Sequence, residues 1–452
     1  MNIIIVGCGK IGKNLISSLK EEKFDIIAID NNYEVVDDVS NTYDVMTAQG
    51  SGTDADTLIQ ANIKNCELLI ATTGSDEINM LTCMLAKQLG AKHTVARVRS
   101  PEYNVKGSSV ITKNLQLAMV INPEMLAAEE IYNIIKLPAA AKIETFSRRH
   151  LKMLEMKVKP EYLINNQPLK DLRSKIPFLI CCVQREDKTY IPDGNFIINA
   201  GDRIAIIAAE NDLHDLLEEF GIINKKSPKK VMILGGGSTA IYLTKQLVGK
   251  YNVKIVERNI EKCNKLSEMF PKAEILAGDG ARQDILLDSG IEDTNVFVSL
   301  TGKDEENILI SIYANTLNIP KVITKINRQE WIPIADKLNL DSIINPSSII
   351  SNIIVRYANA VRNSEGNDFE TLYKVMDDNT EAVEFVTKED FTKTDVPIQE
   401  LNLIPGVLIV GIIRGEEIII PSGKTTIQLN DKVVIISTNM KLRKLTDILA
   451  KG

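Results

Sequence analysis

The residues best suited to bind a ligand lie near the start of the chain, where Gly7, Gly9 and Gly12 follow a short apolar segment. Glycines at this spacing, after a strand and before a helix, are typical of a dinucleotide-binding turn. The first glycine permits a tight turn, the second lets the backbone approach a pyrophosphate, and the third lets the helix pack closely on the strand. The N-terminus of that helix would offer free N–H groups to the phosphates.

An acidic residue ends the next predicted strand. Asp30 lies 23 residues beyond Gly7 and can accept hydrogen bonds from both hydroxyls of an adenosine ribose. Asn31 and Asn32 follow it without a nearby arginine, so this position would repel a 2′-phosphate. The sequence therefore predicts a first nucleotide site that prefers NAD(H) to NADP(H).

The same arrangement occurs again 228 residues later, and we call positions at this separation matched positions. Glu257 takes the place of Asp30. Arg258 beside it could stack on adenine or bind a phosphate, or could simply be an exposed charge. Alanine replaces the third glycine of the second turn, which still permits close packing. The choice of ligand at this second site stays open between NAD(H), ADP and ATP. The second turn consists of Gly235, Gly236, Gly237, Ser238, Thr239 and Ala240.

Further polar residues occur at the ends of the later predicted strands in both halves. Open α/β sheets bind their ligands at the carboxyl ends of strands. Residues at these positions can also be ordinary turn or strand-end residues, and their repetition in both halves favours binding. The candidates are Ser51, Thr73, Gly74 and Arg97 in the first half, and Asp279, Thr301 and Lys325 in the second.

The duplication extends over the whole chain and predicts its architecture. Each half has a region of alternating strands and helices, then a helix that opens at Asn122-Pro123 or Asn345-Pro346, then a strand-rich region. We predict an α/β protein with two Rossmann-like, doubly wound parallel-sheet domains, each followed by a small α+β domain. Polar segments around Ser227 and Gly366 are expected to be linkers. The predicted units are 1–120, a helix at 121–140, 141–224, 229–344, a helix at 345–364, and 368–452.

The bulk composition argues against several classes of protein. The 452 residues carry a net charge of −7 and contain no block of lysine and arginine, so nucleic acid is not expected as a partner. Six cysteines without a CxxC pair favour reduced thiols, and no metal ligands are predicted. The first strand begins too early for a signal peptide, and the uncharged run at 401–413 is too short to span a bilayer. We therefore expect a cytoplasmic protein.

The sequence favours a binding protein over an enzyme. A dehydrogenase needs a proton donor or base beside the nicotinamide and a domain that shapes a substrate pocket. We find no defensible His–Asp or Lys–Tyr pairing, and His93 has no matched histidine. We predict no catalytic residues. The alternatives are an NAD-dependent oxidoreductase and an assembly scaffold with vestigial nucleotide folds.

These segments resemble a known family. The two Rossmann-like units resemble the N-terminal domain of regulators of potassium conductance (RCK domains), through IIIVGCGKIGKNL, TTGSDEINML and VARVRSPEY. The strand-rich units resemble the matching C-terminal domain, through PLKDL and AGDRIAIIA. Two of each in tandem, without a membrane span, are similar to the regulatory subunits of Trk potassium uptake systems, the TrkA family.

The resemblance implies a function and a set of site residues. Such subunits are cytosolic gating rings, so it implies a homo-oligomer, expected as a tetramer, docked on a TrkH- or TrkG-like potassium-translocating subunit at the inner face of the membrane. The cofactor would be NAD⁺ or NADH, with ADP or ATP as alternatives at the second site. Ala240 and Lys325 depart from the family pattern and weaken the expectation of nicotinamide at the second site. The implied site residues are Gly7, Cys8, Gly9, Lys10, Ile11, Asp30, Thr73, Gly74 and Arg97 in the first half, and Gly235, Gly236, Gly237, Ser238, Thr239, Glu257 and Asp279 in the second.

Overall fold

Alternating apolar strands and amphipathic helices build the first Rossmann-like domain in a computed structural model of the chain. The strands pair in the order β3-β2-β1-β4-β5-β6, and every pair is parallel. The structure describes residues 1–100, 103, 115–137, 142–146, 151–172, 174–186, 188–222, 230–340, 342–363, 369–376, 380–438 and 442–450. The elements are β1 (Asn2–Val6), α1 (Lys10–Glu21), β2 (Asp25–Asp30), α2 (Tyr33–Tyr43), β3 (Met46–Gln49), α3 (Ala55–Gln60), β4 (Leu68–Ala71), α4 (Asp76–Leu89), β5 (His93–Arg97) and β6 (Met119–Ile121).

A connecting helix and a small antiparallel domain follow. Asn122 caps the helix by accepting a hydrogen bond from the Met125 N–H, and Pro123 stands in its first turn, as the sequence predicts. The five-stranded sheet has the order β11-β10-β13-β8-β7. The elements are α5 (Pro123–Lys136), β7 (Lys142–Phe146), β8 (Leu151–Lys157), β9 (Gln167–Pro168), β10 (Phe178–Arg185), β11 (Lys188–Tyr190), β12 (Ile197–Ile198), β13 (Arg203–Ala209) and α6 (Glu210–Glu219).

The second half repeats this topology. Its parallel sheet has the order β16-β15-β14-β17-β18-β19, and its antiparallel sheet has the order β20-β21-β24-β22-β23. The predicted fold class is confirmed. The elements are β14 (Lys230–Leu234), α7 (Ser238–Leu247), β15 (Asn252–Glu257), α8 (Ile260–Met269), β16 (Glu274–Ala277), α9 (Gln283–Asp288), β17 (Val296–Ser299), α10 (Asp304–Thr316), β18 (Lys321–Lys325), α11 (Ile332–Lys337), β19 (Ile343–Ile344), α12 (Pro346–Asn363), β20 (Phe369–Lys374), β21 (Thr380–Val386), β22 (Val407–Arg414), β23 (Glu417–Ile419) and β24 (Lys432–Thr438).

The two connecting helices pack on the opposite halves of the chain. The apolar face of α5, including Ala128 and Ile131, is buried against Leu243 of α7 in the core of the second Rossmann-like domain. Reciprocally, Ile354 of α12 is buried with Leu15 of α1 in the core of the first. Each parallel sheet is therefore covered on one face by a helix from the other half, and the halves share two hydrophobic cores.

The two small domains also pack against each other. Phe146 and Met153 of the first domain share a buried cluster with Val410 and Val434 of the second. At this contact a Cβ on Gly411 would lie 2.5 Å from Leu151 Cδ2, so a larger residue there would displace the Leu151 side chain. The predicted linkers around Ser227 and Gly366 lie outside the described residues. No helix in the described part of the chain is long and apolar enough to cross a bilayer.

The packing of each connecting helix on the opposite half, which we call the helix exchange, leads to a testable prediction about stability. Ile131→Ala should lower the free energy of unfolding by about 2–4 kcal/mol, because it leaves a cavity in the core that the halves share. Ile59→Ala is the matched control, since Ile59 is 50% exposed and its loss should cost less than about 1 kcal/mol. Urea denaturation measures both. Equal effects of the two substitutions would contradict this account of the interface.

Candidate functional site

The first glycine turn has the backbone geometry that its sequence predicts. Gly7 has φ +92°, and a Cβ there would lie 2.7 Å from the Thr73 nitrogen. A Cβ on Gly12 would lie 2.1 Å from the Gly7 carbonyl oxygen. Side chains at Gly7 and Gly12 are therefore excluded by close backbone contacts. A Cβ on Gly9 would meet nothing within 4 Å, because this glycine borders an open cavity.

The helices that follow the two turns have N-termini without side-chain caps. Gly9 and Gly237 occupy the N-cap positions of α1 and α7, and neither helix has a capping side chain. By contrast, Asn32, Asp54 and Ser75 cap α2, α3 and α4. The N-terminal N–H groups of α1 and α7 and their positive dipole ends thus stay available to an anion.

The two acidic residues hold their glycine turns in the same way. Asp30 Oδ2 accepts from the Cys8 N–H at 2.7 Å, and Oδ1 accepts from the Asn32 N–H at 3.0 Å. Glu257 Oε2 accepts from the Gly236 N–H at 2.7 Å. Asp30 is half-buried whereas Glu257 is only 7% exposed. The carboxylate of the first half is therefore the more accessible to a ribose.

An asparagine in each half organises the predicted threonine. Asn79 Oδ1 accepts from the N–H of Thr73 at 2.8 Å and from its hydroxyl at 2.7 Å, and Nδ2 donates to the Arg97 carbonyl at 2.9 Å. Asn307 makes the same three bonds to Thr301 and Lys325, at 2.9, 2.7 and 2.9 Å. Both asparagines are fully buried. The sequence analysis did not assign them a role, although the occurrence of asparagine at both matched positions could have indicated one.

Three predicted residues have mainly local roles. The Cys8 thiol lies in the core, 3.6 Å from the Ile29 carbonyl, and burial raises its pKa to about 12, so it is an inert thiol. Ser51 Oγ lies 2.8 Å from Thr53 Oγ1 in a turn. Asp279 accepts from the N–H of Ala281 at 3.1 Å. His93 lies with its Nδ1 3.0 Å from the Tyr357 hydroxyl of α12, in a contact between the halves.

Most predicted residues of the first half line one cavity of about 670 Å³, a size typical of small-molecule sites. The second half contributes part of its wall, through Thr239 at the start of α7, Lys325 at the end of β18, Asn327, and Pro346 and Ser347 at the start of α12. Sequence reasoning missed this shared lining. The predicted residues that line it are Gly7, Gly9, Lys10, Ile11, Asp30, Ser51, Thr73, Gly74, Arg97, Thr239 and Lys325. The other predicted residues, Cys8, Gly235, Gly236, Gly237, Ser238, Glu257, Asp279 and Thr301, do not line it.

Two charged groups in this cavity each have a buried atom without a hydrogen-bond partner in the part of the chain that the structure describes. Arg97 Nη1 donates to the Thr73 carbonyl at 3.3 Å, but its buried Nε has no hydrogen-bond partner. Glu124 Oε2 is likewise buried without a partner. Burial lowers the pKa values of Arg97 and Lys325. Since buried polar atoms are normally paired, the cavity has the character of a site that is completed by a polar occupant.

The second turn reproduces the first in its backbone. Gly235 has φ +96°, and a Cβ there would lie 2.9 Å from the Leu300 carbonyl oxygen. A Cβ on Gly236 would lie 2.5 Å from Leu266 Cδ1. Ala240 is fully buried at the position matched to Gly12. The second turn is thus closely packed, and it lacks the third glycine.

Two family models match the chain, and each matches it twice. The TrkA-N domain matches residues 3–123 and 231–346. The TrkA-C domain matches residues 153–221 and 394–450. The chain is 29% identical over 449 residues to the Trk system potassium uptake protein TrkA of Vibrio alginolyticus, covering 98% of this chain and 96% of the relative. It is also 29% identical to TrkA homolog 1 of Methanosarcina mazei, covering 97% of both chains.

Solved structures share the fold. The GsuK RCK domain aligns with a TM-score of 0.64 at 17% identity, covering 97% of this chain and 92% of that one. The GsuK channel bound to NAD aligns with a TM-score of 0.63 at 17% identity, covering 97% and 76%. These likenesses confirm the tandem Rossmann-like and C-terminal domain architecture.

The turn geometry predicts different effects for two glycines. Gly12→Ala should lower the melting temperature without ligand, because its Cβ would overlap the Gly7 carbonyl. Gly9→Ala should leave that temperature nearly unchanged, because its Cβ meets no atom, yet it should abolish stabilisation by NADH, since the methyl group would occupy the path of a pyrophosphate. Differential scanning calorimetry with and without NADH measures both effects. Full stabilisation of the Gly9→Ala protein by NADH would contradict this placement of the phosphates.

Proposed function

The chain belongs to the TrkA family, and on that premise we propose that it is a cytoplasmic, nucleotide-sensing regulatory subunit of a potassium uptake system. Its partner would be a TrkH- or TrkG-like membrane subunit that translocates potassium. Several copies of the chain, expected as a tetramer, would form a ring on the inner face of the membrane. The name of the Vibrio alginolyticus relative, a potassium uptake protein, supports the transport role.

One observation carries the sensing part of this proposal, namely that the cavity at the first glycine turn is lined by both halves. A nucleotide held there would contact α1 of one half and the start of α7 and α12 of the other. Its affinity would therefore depend on how the halves are arranged. A ligand that binds two arrangements unequally shifts their populations, and this differential affinity is what can act on a partner.

The proposed ligand of the first site is NAD⁺ or NADH, because Asp30 is accessible beside a turn that keeps all three glycines. Glu257 is buried and Ala240 replaces a glycine at the second site, so ADP and ATP are retained there as alternatives to NAD(H). Structures of GsuK, which shares this fold, have been solved with NAD and with ADP bound. The binding residues we propose are those assigned to the two turns and strand ends above.

We propose that the chain is not an enzyme, with an NAD-dependent oxidoreductase as the alternative. The helix exchange favours regulation, since it couples the nucleotide cavity to the arrangement of the halves through two shared cores. Hydride transfer from bound NADH to a metabolite would favour the alternative. The predicted units, with boundaries at 1–120, 121–140, 141–224, 229–344, 345–364 and 368–452, remain our proposal for the domains.

The proposal makes a prediction about binding and flux. Asp30→Ala should remove the stabilisation of the folded protein by NADH. For wild type, NADH at a concentration of one hundred times Kd should stabilise the folded state by about 2.7 kcal/mol. Asp37→Ala is the control, since Asp37 lies on α2 outside the residues that line the cavity. Potassium flux through the reconstituted partner, with and without NADH, ADP and ATP, should respond to nucleotide with wild type and much less with Asp30→Ala. Flux that ignores all three nucleotides would contradict the proposal.

A further inference from the structure

Lys325 lies where the two halves meet. It ends β18 of the second half, at the position matched to Arg97, so the sequence assigns it to the second nucleotide site. The structure instead places it in the wall of the cavity that contains Gly7, Lys10 and Asp30. Its backbone is fixed there, because its carbonyl accepts from Asn307 Nδ2 at 2.9 Å.

Among the residues that the structure describes, the Lys325 ammonium group forms no ion pair or hydrogen bond. Asp304 of its own half acts electrostatically on Lys325, but it already accepts from the N–H groups of Asn327 at 3.0 Å and Arg328 at 2.9 Å. Glu124 of the other half also acts on Lys325, yet it lies beyond ion-pair distance and keeps a buried oxygen without a partner. A half-buried, unpaired cation is costly, so the group is suited to an anionic occupant.

The direction of the cavity suggests which part of a nucleotide Lys325 would meet. A pyrophosphate would lie over Gly9 and the N-terminus of α1. From there the cavity extends to Thr239, Lys325 and Ser347 of the second half. The groups beyond the α-phosphate would therefore point toward the second half. Three cations line the cavity, Lys10 and Arg97 from the first half and Lys325 from the second, together with the Glu124 carboxylate.

We propose that Lys325 binds the phosphate chain of the nucleotide held at the first site, across the boundary between the halves, and so selects ligands whose phosphates extend beyond the α-phosphate. This inference rests on the proposed function, because it needs a nucleotide at the first turn. Lys325 is then a specificity determinant of the site built by the other half. It also makes affinity depend on both halves, since the two ends of one ligand are held by different halves.

Isothermal titration of the full chain with AMP, ADP and ATP tests the inference. Wild type should bind ADP and ATP more tightly than AMP. Lys325→Met should weaken ADP binding by about ten- to a hundredfold, the usual worth of a charge-assisted hydrogen bond, and change AMP binding little. Lys325→Arg should restore the preference for ADP. Lys337→Met is the control, because Lys337 is exposed on α11 and its loss should change neither affinity.

Comparing the effect of Lys325→Met in wild type and in a Glu257→Ala protein shows which nucleotide site Lys325 belongs to. In a Glu257→Ala protein, whose second site is disabled, Lys325→Met should still weaken ADP binding. An effect of Lys325→Met in wild type that vanishes in Glu257→Ala would mean that it acts only in its own half, and this overturns the inference. Equal ADP affinities of wild type and Lys325→Met would also overturn it. If wild type binds none of AMP, ADP, ATP and NADH, the proposed function itself fails, a result distinguishable from both.

Discussion

The structure depends on the burial of two exchanged helices. The apolar faces of α5 and α12 are buried mainly against the cores of the opposite Rossmann-like domains, where Ile131 and Ile354 are completely buried. Burial of such side chains is worth about 1.5–3 kcal/mol each, so the exchange is strongly favoured. The exchange also brings the starts of α7 and α12 to the first glycine turn, and thereby creates a cavity with walls from both halves.

The sequence predicts the local structure of the sites well, because that structure depends on short-range rules. The spacing of Gly7, Gly9 and Gly12, the position of Asp30 and the caps of the helices each follow from backbone geometry or from a nearby hydrogen bond. The duplication predicts that the second half repeats the first. Asn79 and Asn307 could have been assigned from their matched positions, since each lies in the first turn of a helix directly after the loop that it organises.

The arrangement of the halves could not be predicted in this way. The periodicity of α5 shows that one face is apolar, but an apolar face does not specify the surface that covers it. The location of Lys325 depends on that choice, so sequence reasoning placed it at the second site. The halves also differ in detail: Asn122 Nδ2 donates to the Tyr242 hydroxyl at 3.1 Å, whereas the buried Nδ2 of Asn345 has no partner among the described residues. The amide of the asparagine that opens α5 is therefore better satisfied than that of the asparagine that opens α12, a difference that only the tertiary structure reveals.

The central claim is that a nucleotide in the shared cavity changes how the halves are arranged. Double electron–electron resonance, which measures the distance between two spin labels, tests it most directly with labels attached at Asn41→Cys and Met269→Cys. Both positions are exposed, on helices α2 and α8, and all six native cysteines are buried, so labelling should be confined to the introduced cysteines. We predict that the label distance distribution shifts between the protein without ligand and the protein saturated with NADH, ADP or ATP, with at least two ligands giving different distributions. Superimposable distributions, under conditions where calorimetry detects binding, would contradict the account.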